Sequence, residues 1–265
     1  MNSRLRNVYF LTALLLASAC GRESIVGPRH TTMISRTWPA AAIHQIKVFE
    51  VSGTVRVEAA NTDKISLEAT VRGRKRPRSE AENQGLFNTE LDGDTLRIGR
   101  REKKRGFSFH FMFDRDHTTV DYVLKVPPTV SLDLGTVNGR VVTRGIEGAT
   151  EASSVNGTID VEVTGAEELS ATTVNGRVRA KFTRAFNGAK FKSVNGGVEA
   201  FLPNDASFTV DLAQVNGDFE AAFPLSIHSQ PGSRRVSGEV NGGQHRLKIV
   251  TVNGDVELMK LSDQL

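Results

Sequence analysis

The amino-acid sequence predicts an all-β solenoid built from repeats of about 20 residues. The tripeptide Val-Asn-Gly recurs seven times between residues 137 and 254, and apolar and polar residues alternate with a period of two on both sides of the copies. Such self-similarity is typical of stacked units, because one unit cannot bury its apolar face without a neighbour. The repeated valines are Val137, Val155, Val174, Val194, Val215, Val240 and Val252.

Alignment of the copies on this valine separates inward from outward positions. Small hydroxyl residues directly precede it in five copies and predict close packing against a neighbouring strand. Apolar residues stand three positions before it and four positions after it in most copies, so each copy is predicted as strand, Asn-Gly corner and strand. The hydroxyl column is Thr136, Ser154, Thr173, Ser193 and Thr251. The column four positions after the valine is Val141, Ile159, Val178, Val198, Phe219 and Val256.

Two architectures fit this local pattern. Asn-Gly is the strongest short hairpin signal, so an antiparallel meander of Asn-Gly hairpins is one alternative. In the solenoid, which we favour, every copy adds one coil and like residues stack about 4.8 Å apart. Identical asparagines would then form a ladder along one edge, because stacked amides satisfy each other's donors and acceptors. The predicted ladder residues are Asn138, Asn156, Asn175, Asn195, Asn216, Asn241 and Asn253.

The N-terminus predicts export. Arg4 and Arg6 precede an apolar run that is too short to span a bilayer, and small residues then lead to Cys20, the only cysteine. The segment resembles a bacterial lipobox, which implies that residues 1–19 are a lipoprotein signal peptide and that Cys20 is the lipidated residue. Residues 20–42 lack apolar periodicity and are predicted to be a tether.

Net charge and cysteine content narrow the possible functions. Loss of residues 1–19 lowers the net charge from +4 to +2, because it removes two arginines and no acids. A nearly neutral, exported protein is a poor candidate for nucleic-acid binding. A single cysteine allows no intramolecular disulfide, so stability must come from packing and hydrogen bonds.

The domain predicted over residues 43–265 begins with strand-like segments, in which VSGTVRVEA is a degenerate copy of the repeat. A basic insertion near residues 72–117 follows, with alternating phenylalanines in FSFHFMF that are typical of a core strand. Its two basic segments could bind phosphate groups of lipids or an acidic glycan, or they could be solvated hairpin tips. The candidate anion-binding residues are Arg72, Arg74, Lys75, Arg76, Arg78, Arg100, Arg101, Lys103, Lys104 and Arg105.

Candidate catalytic groups are sparse. The column five residues after the repeat valine holds Asp160, Glu199, Glu220 and Glu257, which could form an acid/base pair or a calcium site, although a solvated outer face with Arg179 easing repulsion explains them better. The six histidines are scattered and show no metal-binding spacing. Asp114, Asp116 and His117 in FDRDH come nearest to a metal cluster, but a charged loop after the aromatic strand explains them at least as well. No nucleophile or phosphate-loop motif is present in the sequence. We therefore expect no catalytic residue, no metal and no cofactor.

The run VPPTVSLDLGTVNGRVVTRGIEGATEASSVNGTIDVEV, with the closing GEVNGGQHRLKIVTVNGDVEL, resembles the bacterial putative-adhesin domains of unknown function grouped under the name Toastrack. The resemblance covers roughly residues 43 to 260 and is strongest from Val126 onward. It implies a right-handed, single-stranded β-helix-like fold, often attached to a lipid anchor or membrane segment, and in some relatives linked to envelope-stress systems. It supplies no catalytic residues.

Three functional hypotheses follow. The first is a non-enzymatic, lipid-anchored cell-envelope protein whose solenoid is an adhesin-like binding scaffold for an envelope protein or an acidic glycan, on the periplasmic face or outer membrane if the cell has two membranes. The second is a β-helix polysaccharide lyase or hydrolase that uses the acidic column. The third is a regulatory module that reports envelope stress to a membrane partner.

Overall fold

The computed structural model describes residues 30–73, 87–99, 118–165, 168–228 and 235–261. These residues form one mixed sheet of nineteen strands and a single 3-10 turn at Ala40–Ala42. Strands β1 to β7 are His30–Pro39, Gln45–Ala59, Lys64–Gly73, Asn88–Asp92, Thr95–Gly99, Thr119–Val126 and Ser131–Ile146. Strands β8 to β13 are Thr150–Asn156, Ile159–Val163, Leu169–Asn175, Val178–Phe182, Ala189–Asn195 and Val198–Leu202. Strands β14 to β19 are Phe208–Asn216, Phe219–Ala221, Ser226–His228, Arg235–Val240, His245–Asn253 and Val256–Lys260.

The Val-Asn-Gly copies stack as coils. Strand β10 pairs in parallel with β8 on one side and β12 on the other, and β11 pairs in parallel with β9 and β13. Each strand thus pairs with its counterpart in the next copy, and the Asn-Gly corner joins two strands of one coil. The prediction of a β-solenoid-like fold is confirmed and the antiparallel meander is wrong. The handedness of the coil stays a prediction.

The core is formed by the inward columns. The residues at one equivalent position in the six successive coils, all at most 1% exposed, are Leu134, Ala152, Ala171, Phe191, Ile249 and Leu212. Burial of each large apolar side chain contributes roughly 1.5–3 kcal/mol. A coil at the end of the stack would lose this contribution on one side, which explains why both ends carry additional strands.

The order of the coils in space differs from their order in the chain. The last coil, β18–β19, lies between β12–β13 and β14–β15, with which it pairs in parallel on both sides. The free side of β14 is instead covered by β17, which pairs with it in antiparallel orientation. From β17 the chain turns back at Asn241, where φ is 50°, and enters the gap between the two earlier coils. The C-terminal coil is therefore an internal layer of the stack.

The N-terminal end of the stack is built from strands β1 to β6. Strand β2 pairs with β7 over almost its full length and aligns Ser52 with Asn138, so the segment VSGTVRVEA is one further coil. The two halves of β2 then pair in parallel with β5 and β6. Antiparallel pairings of β4 with β5, of β3 with β6 and of β1 with β3 complete this end. The described part of the predicted insertion thus belongs to the sheet.

The predicted tether is wrong for residues 30–39, because this segment is strand β1. Its side chains alternate between exposed and shielded positions, and Trp38 is only 6% exposed. Arg36 donates a hydrogen bond to Thr89 on β4, and its guanidinium carbon lies 5.0 Å from the ring centre of Phe87. Burial lowers the pKa of the Arg36 guanidinium, and the charge interaction with Tyr122 partly opposes this shift. Arg36 therefore connects β1 to the β4 side of the N-terminal end.

Within the described residues, no helix has the length and apolar character needed to cross a membrane. Residues 1–19 and Cys20 lie outside the described residues, so the signal peptide and the lipidation site stay predictions.

Candidate binding surface

The Asn-Gly corners stack so closely that their glycines leave no room for a side chain. A Cβ atom added to Gly157 would lie 1.6 Å from the carbonyl oxygen of Gly139, and one added to Gly176 would lie 1.9 Å from the carbonyl oxygen of Gly157. Neither glycine has a φ in the left-handed region. At these two corners the glycine is therefore required by the approach of the neighbouring coil and not by a left-handed turn conformation. At Gly196, Gly217 and Gly254 both reasons apply, because their φ values are 152°, 130° and 157° and an added Cβ would also meet the neighbouring backbone.

The asparagines beside these glycines form a hydrogen-bonded ladder. In five of the six asparagines the amide nitrogen donates to the side-chain oxygen of the asparagine in the adjacent coil, at 2.8–2.9 Å, and all five donors point toward the N-terminal end of the stack. In spatial order the ladder residues are Asn138, Asn156, Asn175, Asn195, Asn253 and Asn216.

Asn241 does not join this ladder. It lies at the turn that follows the antiparallel strand β17, and its amide donates instead to the carbonyl oxygen of Ala206 at 3.0 Å. Its φ of 50° is one that asparagine tolerates better than most residues. The tripeptide at this position thus forms a tight turn, although its sequence is the same as that of the six corners.

The loss of stability on removing one ladder amide is expected to depend on the position of that amide in the ladder. Asn175→Ala removes two hydrogen bonds, to Asn156 and from Asn195, and we expect unfolding to become easier by about 1–2 kcal/mol. Asn216→Ala removes the single terminal bond and should cost about half as much. Urea denaturation of both variants measures the difference, and equal losses would contradict a ladder of additive bonds.

The repeat valines lie beside the asparagines on the outside of the stack. Five of these valine side chains are 37–41% exposed, and Val137 is half-buried. We call the six valines and the six ladder asparagines the Val–Asn ridge. At about 4.8 Å per coil its six coils extend for about 24 Å. The ridge valines in spatial order are Val137, Val155, Val174, Val194, Val252 and Val215.

The predicted acidic column lies on the outward face of the second strands, where half of its carboxylates bind arginine. Asp160 accepts two hydrogen bonds from Arg144, at 3.1 and 3.3 Å, and this bond to Asp160 raises the pKa of the Arg144 guanidinium despite partial burial. Glu199 contacts Arg177 at 2.7 Å and Arg179 at 3.1 Å. The carboxylate oxygens of Asp160 and Glu199, which would have to exchange a proton with a substrate, are thus already bound by arginine.

The other two acids of this column, Glu257 and Glu220, are neighbours in register on the last two coils of the stack. Within the described ranges, no group of three or more histidine, cysteine, aspartate or glutamate side chains is placed to hold a metal ion. The FDRDH segment lies outside those ranges.

Of the predicted anion-binding residues, the structure describes Arg72 alone. Its guanidinium forms an ion pair with Asp121, which also accepts a hydrogen bond from the backbone amide of Thr54 at 2.8 Å. Arg72 therefore ties β3 to β6 and is already engaged by a carboxylate. The remaining candidates lie outside the described residues: Arg74, Lys75, Arg76, Arg78, Arg100, Arg101, Lys103, Lys104 and Arg105.

A buried carboxylate was missed by the sequence analysis. Glu50 is 0% exposed and occupies the position that holds Thr136 in the next coil. Its Oε2 accepts a hydrogen bond from the Tyr122 hydroxyl at 2.9 Å, and its Oε1 accepts one from the Val51 amide at the same distance. The available signal was Ser52-Gly53, because alignment of this degenerate corner with Asn138-Gly139 places Glu50 in the inward hydroxyl column.

Removal of the tyrosine hydroxyl is expected to expose the cost of this burial. Tyr122→Phe removes the hydrogen bond that the tyrosine hydroxyl donates to Oε2 of Glu50 and should lower the free energy of unfolding by about 1–3 kcal/mol. Glu50→Gln in the same background should recover part of the loss, since an amide costs less to bury than a carboxylate. Denaturation curves of the single and double variants test this prediction. A double variant that is no more stable than Tyr122→Phe would show that the carboxylate charge does not contribute to the loss of stability.

Three solved structures align with most of the chain. A putative cell adhesion protein from Clostridium sporogenes ATCC 15579 is 10% identical over 87% of this chain and 100% of its own, with a TM-score of 0.41. A putative adhesin from Bacteroides fragilis NCTC 9343 is 10% identical over 86% of this chain and 97% of its own, with a TM-score of 0.37. A putative adhesin from Parabacteroides merdae ATCC 43184 is 12% identical over 85% and 95%, with a TM-score of 0.35.

A comparison with curated proteins gave no match. The model of the family described as Toastrack DUF4097 matches residues 129–259, a stretch that begins just before β7 and ends within β19. This stretch contains all six coils of the Val–Asn ridge, whereas the expected resemblance extended back to residue 43. Residues 129–259 of this chain therefore belong to the Toastrack family.

Proposed function

We propose that this protein is a non-enzymatic, adhesin-like binding scaffold of the cell envelope, whose partner is an envelope protein or a glycan. The observation that carries the proposal is the Val–Asn ridge, in which valine and asparagine repeat in register over six coils and five of the six valines are exposed. Exposed apolar side chains in a continuous row are typical of interaction surfaces. The partly free hydrogen-bonding capacity of the amides beside them adds polar selectivity.

Lipid attachment at Cys20 would place the scaffold at a membrane. Only nine residues separate Cys20 from the first residue of β1, His30. At about 3.3 Å per residue, the ten steps from Cys20 to His30 span at most about 33 Å, so the N-terminal end of the stack would be held near the bilayer. Metabolic labelling with a fatty-acid analogue should label the wild-type protein and not Cys20→Ser. Equal labelling of both would contradict the anchor.

Binding to purified envelope proteins and to an array of bacterial glycans tests the scaffold function. The full-length protein is expected to bind at least one partner. Val155→Asp/Val174→Asp introduces charges into the ridge and should abolish that binding, because a carboxylate must be desolvated at the contact. Thr31→Asp/Thr37→Asp places the same charges on exposed positions of β1 and should leave it intact. Failure of the wild-type protein to bind anything in the screen would refute the scaffold function.

The polysaccharide lyase or hydrolase alternative rests on Glu257 and Glu220, the adjacent acids for which the structure shows no arginine partner within the described ranges. Incubation of the protein with acidic polysaccharides should leave their chain length unchanged if the scaffold proposal is right. Depolymerisation that disappears in Glu220→Ala and Glu257→Ala variants would refute the scaffold proposal and establish an enzyme.

A further inference from the structure

The outward face of the first strands carries a cluster of positive charge on two adjacent coils. Lys190 and Lys192 lie on β12, and Lys248 lies beside Lys190 on the neighbouring strand β18. All three side chains are exposed. Arg246, which is also exposed, lies two residues before Lys248 on β18. In the parts of the chain that the structure describes, none of the four forms an ion pair. We call Lys190, Lys192 and Lys248 the lysine cluster.

The two usual reasons for surface lysines on a sheet do not account for this cluster. Lysines protect exposed sheet edges, but β12 and β18 both have a paired strand on each side. Lysines also pair with acids across strands, as Lys47 does with Asp133 at 3.0 Å in the same column. Like charges directly opposite each other are instead destabilising. A locally unfavourable arrangement without structural benefit is typical of functional sites.

The residues next to the cluster narrow the choice of ligand. On one side Lys190 and Lys192 are flanked in register by the hydroxyl residues Ser170 and Thr172 of β10. On the other side Lys248 is followed by Asp211, the single acid in register beside the cluster, so net positive charge remains. The exposed valines Val194 and Val252 of the ridge follow along the same two strands.

We propose that the lysine cluster binds an anionic polysaccharide that lies across the coils, an inference that rests on the proposed scaffold function. Neighbouring lysines are about 4.8 Å apart across the strands and about 6.6 Å apart along β12, so their ammonium groups can share one carboxylate or sulfate or hold successive ones. Ser170 and Thr172 supply hydrogen bonds for sugar hydroxyls, and the valines supply contacts for sugar C–H groups. This combination on an open face fits an acidic sugar polymer.

The test measures binding of the full-length protein to polygalacturonate and dextran sulfate, with unmodified dextran as the neutral probe. The wild-type protein is expected to bind both acidic polymers and not dextran, with an affinity that falls as salt rises. Lys190→Gln/Lys192→Gln/Lys248→Gln should weaken binding by at least about tenfold, since several charge contacts are lost together. Its thermal midpoint should be unchanged or higher, because repulsion between the lysines is removed.

A matched control removes the same charge elsewhere. Lys64→Gln/Lys125→Gln/Lys181→Gln neutralises three lysines on β3, β6 and β11, strands that do not carry the cluster, and should retain the wild-type affinity within about twofold, because only the general charge of the protein changes and salt screens it. Equal weakening in both triple variants would show general charge attraction and overturn the proposal.

Two further outcomes would also overturn it. One is cluster-dependent binding to vesicles that contain phosphatidylglycerol without binding to either acidic polymer, which would assign the cluster to lipid headgroups. The other is that the wild-type protein binds neither acidic polymer but still binds an envelope protein in the screen. That second result would refute the glycan site and leave the scaffold function standing, so the two proposals can fail separately.

Discussion

Gly157→Ala is expected to lower the free energy of unfolding by at least about 3 kcal/mol, a large effect for the addition of one methyl group. The added Cβ would lie 1.6 Å from the carbonyl oxygen of Gly139, which belongs to the backbone of the adjacent coil and cannot rotate away. Relief requires the coils to separate, and separation breaks the asparagine ladder and the strand pairing on both sides of the corner. Thermal or urea unfolding of the variant measures the loss.

Gly93→Ala is the matched control. Gly93 lies in the turn between β4 and β5, and an added Cβ meets nothing within 4 Å. Its φ of 63° is unfavourable for alanine, so a loss of about 1–2 kcal/mol is expected from backbone strain alone. A Gly157→Ala variant that is no less stable than Gly93→Ala would contradict the close stacking of the corners.

Deletion of residues 245–265 is expected to unfold the coil β14–β15 and its covering strand β17, although both precede the deletion in the chain. The deleted coil buries Leu247, Ile249, Val256 and Leu258 to at most 1% exposure. Their burial contributes about 6–12 kcal/mol, comparable to the total stability of a typical domain, about 5–15 kcal/mol. In addition, β14 and β15 lose their parallel partners.

Hydrogen exchange distinguishes this result from simple loss of a terminal coil. Amides of residues 208–221 should lose protection, whereas those of β7 to β11 should keep it, since each coil contacts only its neighbours. Deletion of residues 262–265 alone should change neither. Retained protection of residues 208–221 would show that β14–β15 can pair directly with β12–β13, and that the internal position of the last coil is not needed.

The repeat allowed much of the fold to be predicted. The alternation of apolar and polar residues and the columns around Val-Asn-Gly indicate which side chains face inward, and Phe191 and Ile249 are buried as their columns predict. The same columns favour pairing of like strands over hairpins. Strand β1 was missed because His30–Pro39 lacks apolar periodicity, since its less exposed positions include the polar residues Thr32 and Arg36, and because its pairing with β3 depends on residues distant in the chain.

The candidate site was less accessible to sequence reasoning. The lysine cluster arises because β18 enters the stack beside β12 and brings Lys248 next to Lys190, which is 58 residues earlier in the chain. A stack in chain order would instead place Asp211 beside Lys190. Glu50 was missed for a related reason, since its donor Tyr122 lies on a strand added from beyond the basic insertion.

By itself the sequence predicted the inward columns and the asparagine corners and favoured a stack of parallel coils over a meander, because the alternation of apolar and polar residues is a local property that the copies repeat. Only the tertiary structure decided the order of the coils, the exclusion of Asn241 from the ladder and the neighbours of each surface charge. The physical reason is that the coils are similar enough for any one of them to pair with any other. Which strand pairs with each edge, such as β17 and β18 on the two sides of β14, therefore depends on the folding of the whole chain.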